Sequence, residues 1–365
     1  MLSPRIKRYF YRIIPFGLIW VIFGIVCSLL VWGLLDLAPY SPQRNPYDFA
    51  AGFFVIIIIS LVSGLLIGTI EVLYLSKLFH QKSFKVKIVY KPIIYQVVID
   101  LFLLIAAAIT ISVVLKADVF SKQVWDNVWT YFLSYAFLGS TVYMVLVIIV
   151  SLFYAEVSEN IGPGVLANFF TGKYHTPIEE ERIYMFLDMK SSTTIAENLG
   201  HVKYFEMLRE YYADISNPII KYSGEIYQYV GDEVIVSWTL KKGLQNNSCI
   251  QCFFAMKEAL EKQARKYKDR FGVLPGFKGG FHVGKVTTGE IGVIKKDIMF
   301  TGDVLNTTAR IQGLCNTYNV DILLSDDLIK ILSHNKQWQI KSMGENALRG
   351  RGEKIGLFTI LPLLN

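Results

Sequence analysis

An apolar run, IYMFLD, ends on Asp188, and an alternating run, GEIYQYVGDEVIVSW, turns at Gly231-Asp232. Two carboxylates are thereby presented at two strand ends. Strand ends hold such groups a few ångströms apart, and hard oxygen ligands suit Mg²⁺ or Mn²⁺ bound together with substrate phosphates. Two such ions per site is the arrangement of two-metal phosphoryl or nucleotidyl transfer. Either aspartate alone reads equally well as a helix cap or a turn residue. The chemical reading rests on both at once.

The other reactive side chains carry less. Cys249 and Cys252 form a CxxC, but CIQCFFAMKEALEKQ has helical periodicity and no second ligand pair, so it reads as core packing rather than a zinc site. With Cys27 and Cys315 they make four cysteines, and disulfides are not expected in a reducing cytoplasmic setting. The five histidines, His80, His175, His201, His282 and His334, fall outside the apolar segments, against a membrane-buried bis-histidine haem.

The elements that must position Asp188 and Asp232 follow from residue 182 onward. Strands are expected over 182–188, 224–230, 233–238, 277–283, 286–291, 320–324 and 355–361. Helices are expected over 192–221 with a break, 246–268, 303–318 and 325–333. The Gly-Asp turn makes an antiparallel hairpin rather than a crossover. Together these predict an α+β sandwich of the ferredoxin-like, polymerase-palm type.

The preceding residues belong to a different solvent. A hydrophobic fraction of 53% is too high for an ordinary soluble protein of 365 residues, and the excess lies in the first ~155. Four segments near 13–35, 50–74, 92–115 and 129–154 are long enough to span a bilayer. The first is too long for a signal-peptide core and lacks a small-residue cleavage site, so it is expected to stay in the mature protein. Arg5, Lys7, Arg8 and Arg12 precede span one, and Lys77, Lys82, Lys85, Lys87 and Lys91 lie between spans two and three, whereas the other loops hold Arg44 alone and Lys116 with Lys122. This bias predicts a cytoplasmic N-terminus and C-terminal half, with the chain in the plasma membrane. The net charge of +7 owes much to these clusters, which favour anionic lipid headgroups and do not imply nucleic-acid binding. Glu71 and Asp100 fall inside spans, where an ionisable group marks a pathway, a relay or a partner. The expected organisation is an N-terminal all-α membrane domain of four transmembrane helices over 1–155, a coupling linker over 156–181 containing Gly162-Pro163-Gly164, and the α+β domain over 182–365.

The C-terminal half resembles the catalytic domain of class III adenylyl/guanylyl cyclases over about 182–361. The resemblance implies a homodimer whose active sites are shared across the interface, acting on ATP or GTP. It implies that Asp188, Asp232 and the peptide carbonyl of Met189 hold two Mg²⁺ or Mn²⁺ ions. The stretch TGDVLNTTARIQGL resembles the family's transition-state helix, in which Asn306 orients the ribose and Arg310 stabilises charge on the α-phosphate. These two are four apart and share a helix face. Asn-Thr-Thr is poor for helix propensity, so something besides helix stability has set these residues. LRGRGEKIGLF resembles the strand motif that supplies a cation to the triphosphate, with Arg351 the choice and Arg349 second. Thr193 matches a phosphate-contacting threonine. FHVGKVTTGEIG matches a glycine-marked hairpin beside the dimer interface, with Gly284 and Gly289 serving backbone geometry.

The two base-reading positions depart from the family pattern, being Gln228 and Met299. A glutamine amide both donates and accepts, and a thioether accepts weakly, so base choice is not legible from this pair. ATP is favoured over GTP as the commoner substrate of similar proteins. Ser191-Ser192 stands where the family has Gly-Phe. A diguanylate cyclase shares the palm-like fold, and VGDEV is similar to its GGDEF turn, but Val230 replaces the first glycine and such enzymes do not use Asn306 or Arg310. A catalytically inactive cyclase-like signalling module coupled to a membrane sensor is the alternative within the same fold. A transporter with a cyclase-like regulatory domain is disfavoured by four spans with few polar residues and no discontinuous helices.

Overall fold

The computed structural model describes residues 3–36, 46–80, 82–161, 166, 168, 171–294, 296–333, 338–348 and 354–362. The chain divides into two compact units, one built on Ile6–Ala167 and one on Asn168–Asn365.

The first unit is helical: α1 (Pro4–Asp36), α2 (Pro46–Ile70), α3 (Phe84–Leu115), α4 (Lys122–Phe132) and α5 (Tyr135–Ile161). The second helix runs on through a π-helical turn, Glu71–Leu75, and a last turn, Ser76–Leu78. Four stretches, Ile6–Gly33, Ala50–Leu78, Phe84–Leu115 and Tyr135–Ile161, are long and apolar enough to cross a membrane. Large apolar side chains such as Leu18, Ile58, Ile105 and Leu146 stay exposed on them, as lipid-facing surfaces require.

Several boundaries differ from the sequence expectation, among them α1, which starts at Pro4 rather than near 13. Helix α3 begins at Phe84, so Lys85, Lys87 and Lys91 belong to its first turns rather than to a loop. Lysine is a good helix former, and partners within the bundle meet two of these charges. Lys87 pairs with Glu156 at 2.5 Å, and buried Lys91 pairs with buried Glu71. The Tyr95 hydroxyl also donates to Glu71, at 3.0 Å, and Arg12 lies 3.3 Å from Glu159. Glu71 thus has its partner inside the bundle, while Asp100 accepts from the Gln96 amide at 2.8 Å. Residues 122–132 form α4, an amphipathic helix with Val124 and Val128 buried, so the fourth apolar helix starts at Tyr135 rather than near 129.

The second unit runs β1 (Ile178–Met189), α6 (Ser192–Leu199), α7 (His201–Lys221), β2 (Glu225–Val230), β3 (Glu233–Thr239), α8 (Leu240–Leu244), α9 (Ser248–Lys262), α10 (Ala264–Phe271), β4 (Phe277–Ile291), β5 (Asp297–Thr301), α11 (Asp303–Thr317), β6 (Ile322–Ser325), α12 (Asp326–Ile331), β7 (Trp338–Ala347) and β8 (Lys354–Pro362). The sheet order is β2-β3-β1-β4-β6-β8-β7, with β5 paired to β4. Strand β1 is antiparallel to both neighbours, and β4 is parallel to β6. This is a mixed α+β sandwich.

The apolar run before Asp188 has a double burial as its cause. Ile183, Met185 and Leu187 enter a core with Met207, Tyr211 and Phe253 of α7 and α9. Tyr184 and Phe186 enter another with Val304 of α11. Successive strand residues face opposite sides, so a strand covered on both faces reads as continuously apolar. Cys249 and Cys252 are buried in the first core, where they pack among apolar side chains, and burial pushes the Cys249 thiol up to about 12.

The segments 277–283 and 286–291 form one strand, β4, because β1 pairs with it continuously from Ile178↔Thr288 to Met189↔Phe277. The hairpin over 281–292 is therefore misplaced: the chain reverses between Ile291 and Asp297, and β5 follows. Gly284 and Gly289 sit within β4. Strands β5 and β7 were not legible, since both lack a sustained apolar alternation and lie at the margins of the sheet. Gly162-Pro163-Gly164, Arg349 and Arg351 lie outside the described residues.

Candidate active site

Asp188 is the penultimate residue of β1, and Asp232 sits in the turn between β2 and β3. Because β3 is the antiparallel neighbour of β1, the turn that opens β3 lies beside the end of β1. Gly231 supplies the turn with φ +62°, a conformation that favours glycine. From α7 the Tyr212 hydroxyl donates to the Gly231 carbonyl at 2.5 Å and braces the peptide that carries Asp232.

The Asp188 carboxyl is perturbed by its surroundings. Burial and the neighbouring Asp232 raise the Asp188 carboxyl above its ordinary value, although Lys278 at 3.3 Å and the Gln312 amide at 3.2 Å both oppose the shift. Burial, with Asp188 and Asp232 behind it, also raises Glu233. Asp232 Oδ2 is buried without a hydrogen-bond partner. A buried carboxylate oxygen left unsatisfied is costly and calls for an ion or a donor. Among the described residues no three His, Cys, Asp or Glu side chains gather as a metal cage. Two carboxylates fit instead an ion that takes few protein oxygens and completes its shell with water and phosphate, which is the habit of Mg²⁺.

Met189 ends β1 with its side chain in the core, so any ligand role there falls to its peptide carbonyl. Thr193 is exposed in the first turn of α6. Ser191, just before it, has φ +54° and turns the chain from β1 into that helix.

Helix α11 carries the remaining polar residues on two faces. Gly280 on β4 lets it pack closely, since a Cβ there would fall 2.3 Å from the Gln312 backbone nitrogen. Gln312 therefore faces the sheet and reaches Asp188. Arg310 is two residues earlier, about 200° round the helix from Gln312. Asn306 shares the side of Arg310 and is exposed. Arg310 is half-buried, with Nη1 shielded from solvent and without a hydrogen-bond partner. Within one chain Asn306 and Arg310 accordingly point away from the side of α11 that meets Asp188.

Gln228 is exposed on β2 and Met299 is 43% exposed on β5. Lys278 and Gln312 were not singled out from sequence. Lys278 stands directly across from Asp188 in the β1–β4 register, and a lysine within the apolar strand FKGGFHV was the available signal. Its ammonium also donates to Asn316 at 2.8 Å, which holds it beside the carboxylate. Gln312 had no signal in the sequence, because only the packing of α11 brings it to Asp188.

A family model described as the adenylate and guanylate cyclase catalytic domain matches residues 176–361. Adenylate cyclase 2 of Rhizobium meliloti (strain 1021) is 34% identical over 209 residues, which cover 57% of this chain and 58% of that protein. The adenylate cyclase of Anabaena cylindrica is 24% identical over 186 residues, 48% of this chain and 36% of that protein. The chain thus spans under two thirds of the length of each of these relatives. Among solved structures, a bacterial light-regulated adenylyl cyclase aligns with a TM-score of 0.51 at 20% identity, over 59% of this chain and 62% of that one. That likeness is one of fold.

Proposed function

The chain belongs to the class III adenylyl/guanylyl cyclase family, and from that premise we propose that it is a membrane-bound nucleotidyl cyclase. It converts ATP, with GTP as the alternative, to the 3′,5′-cyclic nucleotide and pyrophosphate. The ribose 3′-oxygen bonds to the α-phosphorus, the bond from that phosphorus to the bridging oxygen of pyrophosphate breaks, and the 3′ proton passes to water. The observation that carries the reading is the orphaned Asp232 oxygen beside Asp188, whose proton affinity burial and Asp232 raise.

Asp188, Asp232 and the Met189 carbonyl would hold two Mg²⁺ or Mn²⁺ ions. When bound, such ions favour deprotonation of the attacking hydroxyl and neutralise the triphosphate. The chain's own side chains do the rest. Asn306 orients the ribose, Arg310 meets charge developing on the α-phosphate, Thr193 and Arg351 contact phosphates, and Gln228 and Met299 meet the base. Since Asn306 and Arg310 lie on the side of α11 away from Asp188, the site is completed by a second copy of the chain. Two-fold symmetry then yields two equivalent sites. The catalytic unit and the N-terminus face the cytoplasm at the plasma membrane, and residues 156–181 couple the helices to the catalytic domain.

The test uses full-length protein in nanodiscs, given ATP or GTP with Mn²⁺, with products identified by mass. Cyclic product that Asp232→Ala lacks supports the enzyme, and the preferred nucleotide identifies the substrate. A mixed dimer of Asp188→Ala with Arg310→Ala chains should regain about one working site. A mixture as inactive as either parent removes the shared site, and no cyclic product from folded dimer favours the inactive signalling module.

A further inference from the structure

We propose that Tyr227 is a positioning residue for purine recognition, holding the strand of Gln228 against the strand of Met299. The inference rests on the reading above that these two residues meet the base. Gln228 and Met299 lie on β2 and β5, which are not neighbours: the sheet path from one to the other passes through β3, β1 and β4. Backbone pairing between them therefore does not set their separation. A side chain on each strand, adjacent to the base-facing residue, makes the connection.

Tyr227 is the residue that the β2–β3 ladder skips. Ile226 pairs with Val236 and Gln228 with Ile235, so Tyr227 is the extra residue of a bulge. Bulges re-aim a side chain. Here the ring is turned into the core shared by Tyr184, Phe186, Ile235, Val286 and Val304. It packs edge-on against Phe300, the residue after Met299, with centroids 4.8 Å apart. The Tyr227 hydroxyl accepts the Phe300 backbone N–H at 3.4 Å. Strand β5 pairs with β4 alone, so this N–H would otherwise be an unpaired edge group.

Phe300 has a second contact. The guanidinium of buried Arg182 lies 5.0 Å from its ring centre. Arg182 is itself tied to Glu180 at 3.0 Å, to Glu225 and to Ser237 at 3.1 Å. A set of groups from β1, β2 and β3 thus grips one residue of β5, and that residue adjoins Met299. A purine bound between Gln228 and Met299 meets a gap whose width this grip sets. Met299 offers only a weak acceptor, so discrimination between adenine and guanine edges depends on where the Gln228 amide sits relative to it.

The experiment is Tyr227→Phe in the full-length protein, which keeps the ring and its packing and removes the hydroxyl. Steady-state kcat and KM are measured for ATP and for GTP, with inhibition by inorganic tripolyphosphate as a probe of the phosphate contacts. The ratio of kcat/KM for the two nucleotides should change by about 2- to 10-fold, the range of one net hydrogen bond. Most of the change should be in KM, with tripolyphosphate inhibition unmoved and the melting temperature lowered by only a few degrees, the cost of one hydrogen bond. An unchanged ratio, or ATP, GTP and tripolyphosphate weakening together, overturns the proposal. Tyr227→Leu, which also removes the ring, should shift the ratio further in the same direction. Should the unsubstituted protein turn over neither nucleotide, the catalytic reading falls. Competition of ATP and GTP against a fluorescent purine triphosphate then still reads the affinity ratio that Tyr227 is proposed to set.

Discussion

In the helical unit the Glu71 carboxylate is buried and met by both Lys91 and the Tyr95 hydroxyl, whereas in the catalytic unit Asp232 keeps a buried oxygen that nothing meets. Arg182, also buried, resembles Glu71 in being met by opposite charge, here from Glu180 and Glu225. Arg310 resembles Asp232, since its Nη1 is shielded and unpartnered. Paired buried charge holds elements together, and removing one member is strongly destabilising. Unpartnered buried charge costs stability in the free protein and is repaid by a ligand of opposite sign. On the proposed function, the contrast separates residues that make the architecture from residues that would meet metal and substrate.

The largest expected effect tests the unpartnered side. Asp232→Ala should lower cyclic nucleotide formation by about 10³-fold or more, the scale of losing a contact to a metal centre. Its melting temperature without metal should stay level or rise, because a repulsive carboxylate has gone. A large fall in melting temperature would make Asp232 architectural and dissolve the distinction.

Glu71→Ala tests the paired side and should lower stability by about 3–5 kcal/mol by stranding the Lys91 ammonium. Thermal unfolding in detergent reads this. The double variant Glu71→Leu, Lys91→Met should recover most of the loss, since well-packed apolar residues often replace a buried pair without penalty. If Glu71→Ala melts with the parent protein, the ion pair is not what holds those helices.

Gly280→Ala sharpens the comparison at the seam between the two kinds of residue. The new methyl would meet the Gln312 backbone and push α11 outward, at a cost of about 1–3 kcal/mol. Both stability and activity should fall, the latter because Gln312 leaves Asp188.

The smallest effect is in pH dependence. Burial alone would raise Glu180 and Glu225, but Arg182, helped by Lys173 and Lys242, outweighs it and holds both carboxyls below their ordinary range. Groups with depressed native pKa values contribute stability that is present above the unfolded value, about 4.3, and is lost as pH falls through the native one. Glu180→Gln should therefore flatten the acid limb of the stability curve below about pH 4 and leave the neutral region little changed in slope. Unfolding midpoints of the parent and variant across that range give the answer, and parallel curves would mean that Arg182 does not discriminate the charged form.

The apolar runs were enough to read four membrane-length helices and an α+β domain, because burial imposes its period directly on residue type. They also put Asp188 near a strand end and Asp232 in a tight turn, since the continuous buried, apolar run of β1 stops at Asp188 and a Gly-Asp pair bends the chain. Boundaries were less legible where local and tertiary preferences part. Lysines 85, 87 and 91 read as a loop, yet Glu156 and Glu71 pair with two of them inside the bundle. Gly284 reads as a turn, yet the ladder to β1 carries the strand straight through it.

The carboxylate pair was read from residue type and spacing, and spacing also put Asn306 and Arg310 on one helix face, while the roles expected of those two came from the family resemblance. Partners distant in the chain were decided only by the tertiary structure. Lys278 meets Asp188 through strand register, Gln312 meets it through helix packing at Gly280, and Tyr227 meets Phe300 through a bulge. The physical reason is that periodicity records which face of an element is buried, whereas register, helix rotation and bulges depend on what another segment places opposite.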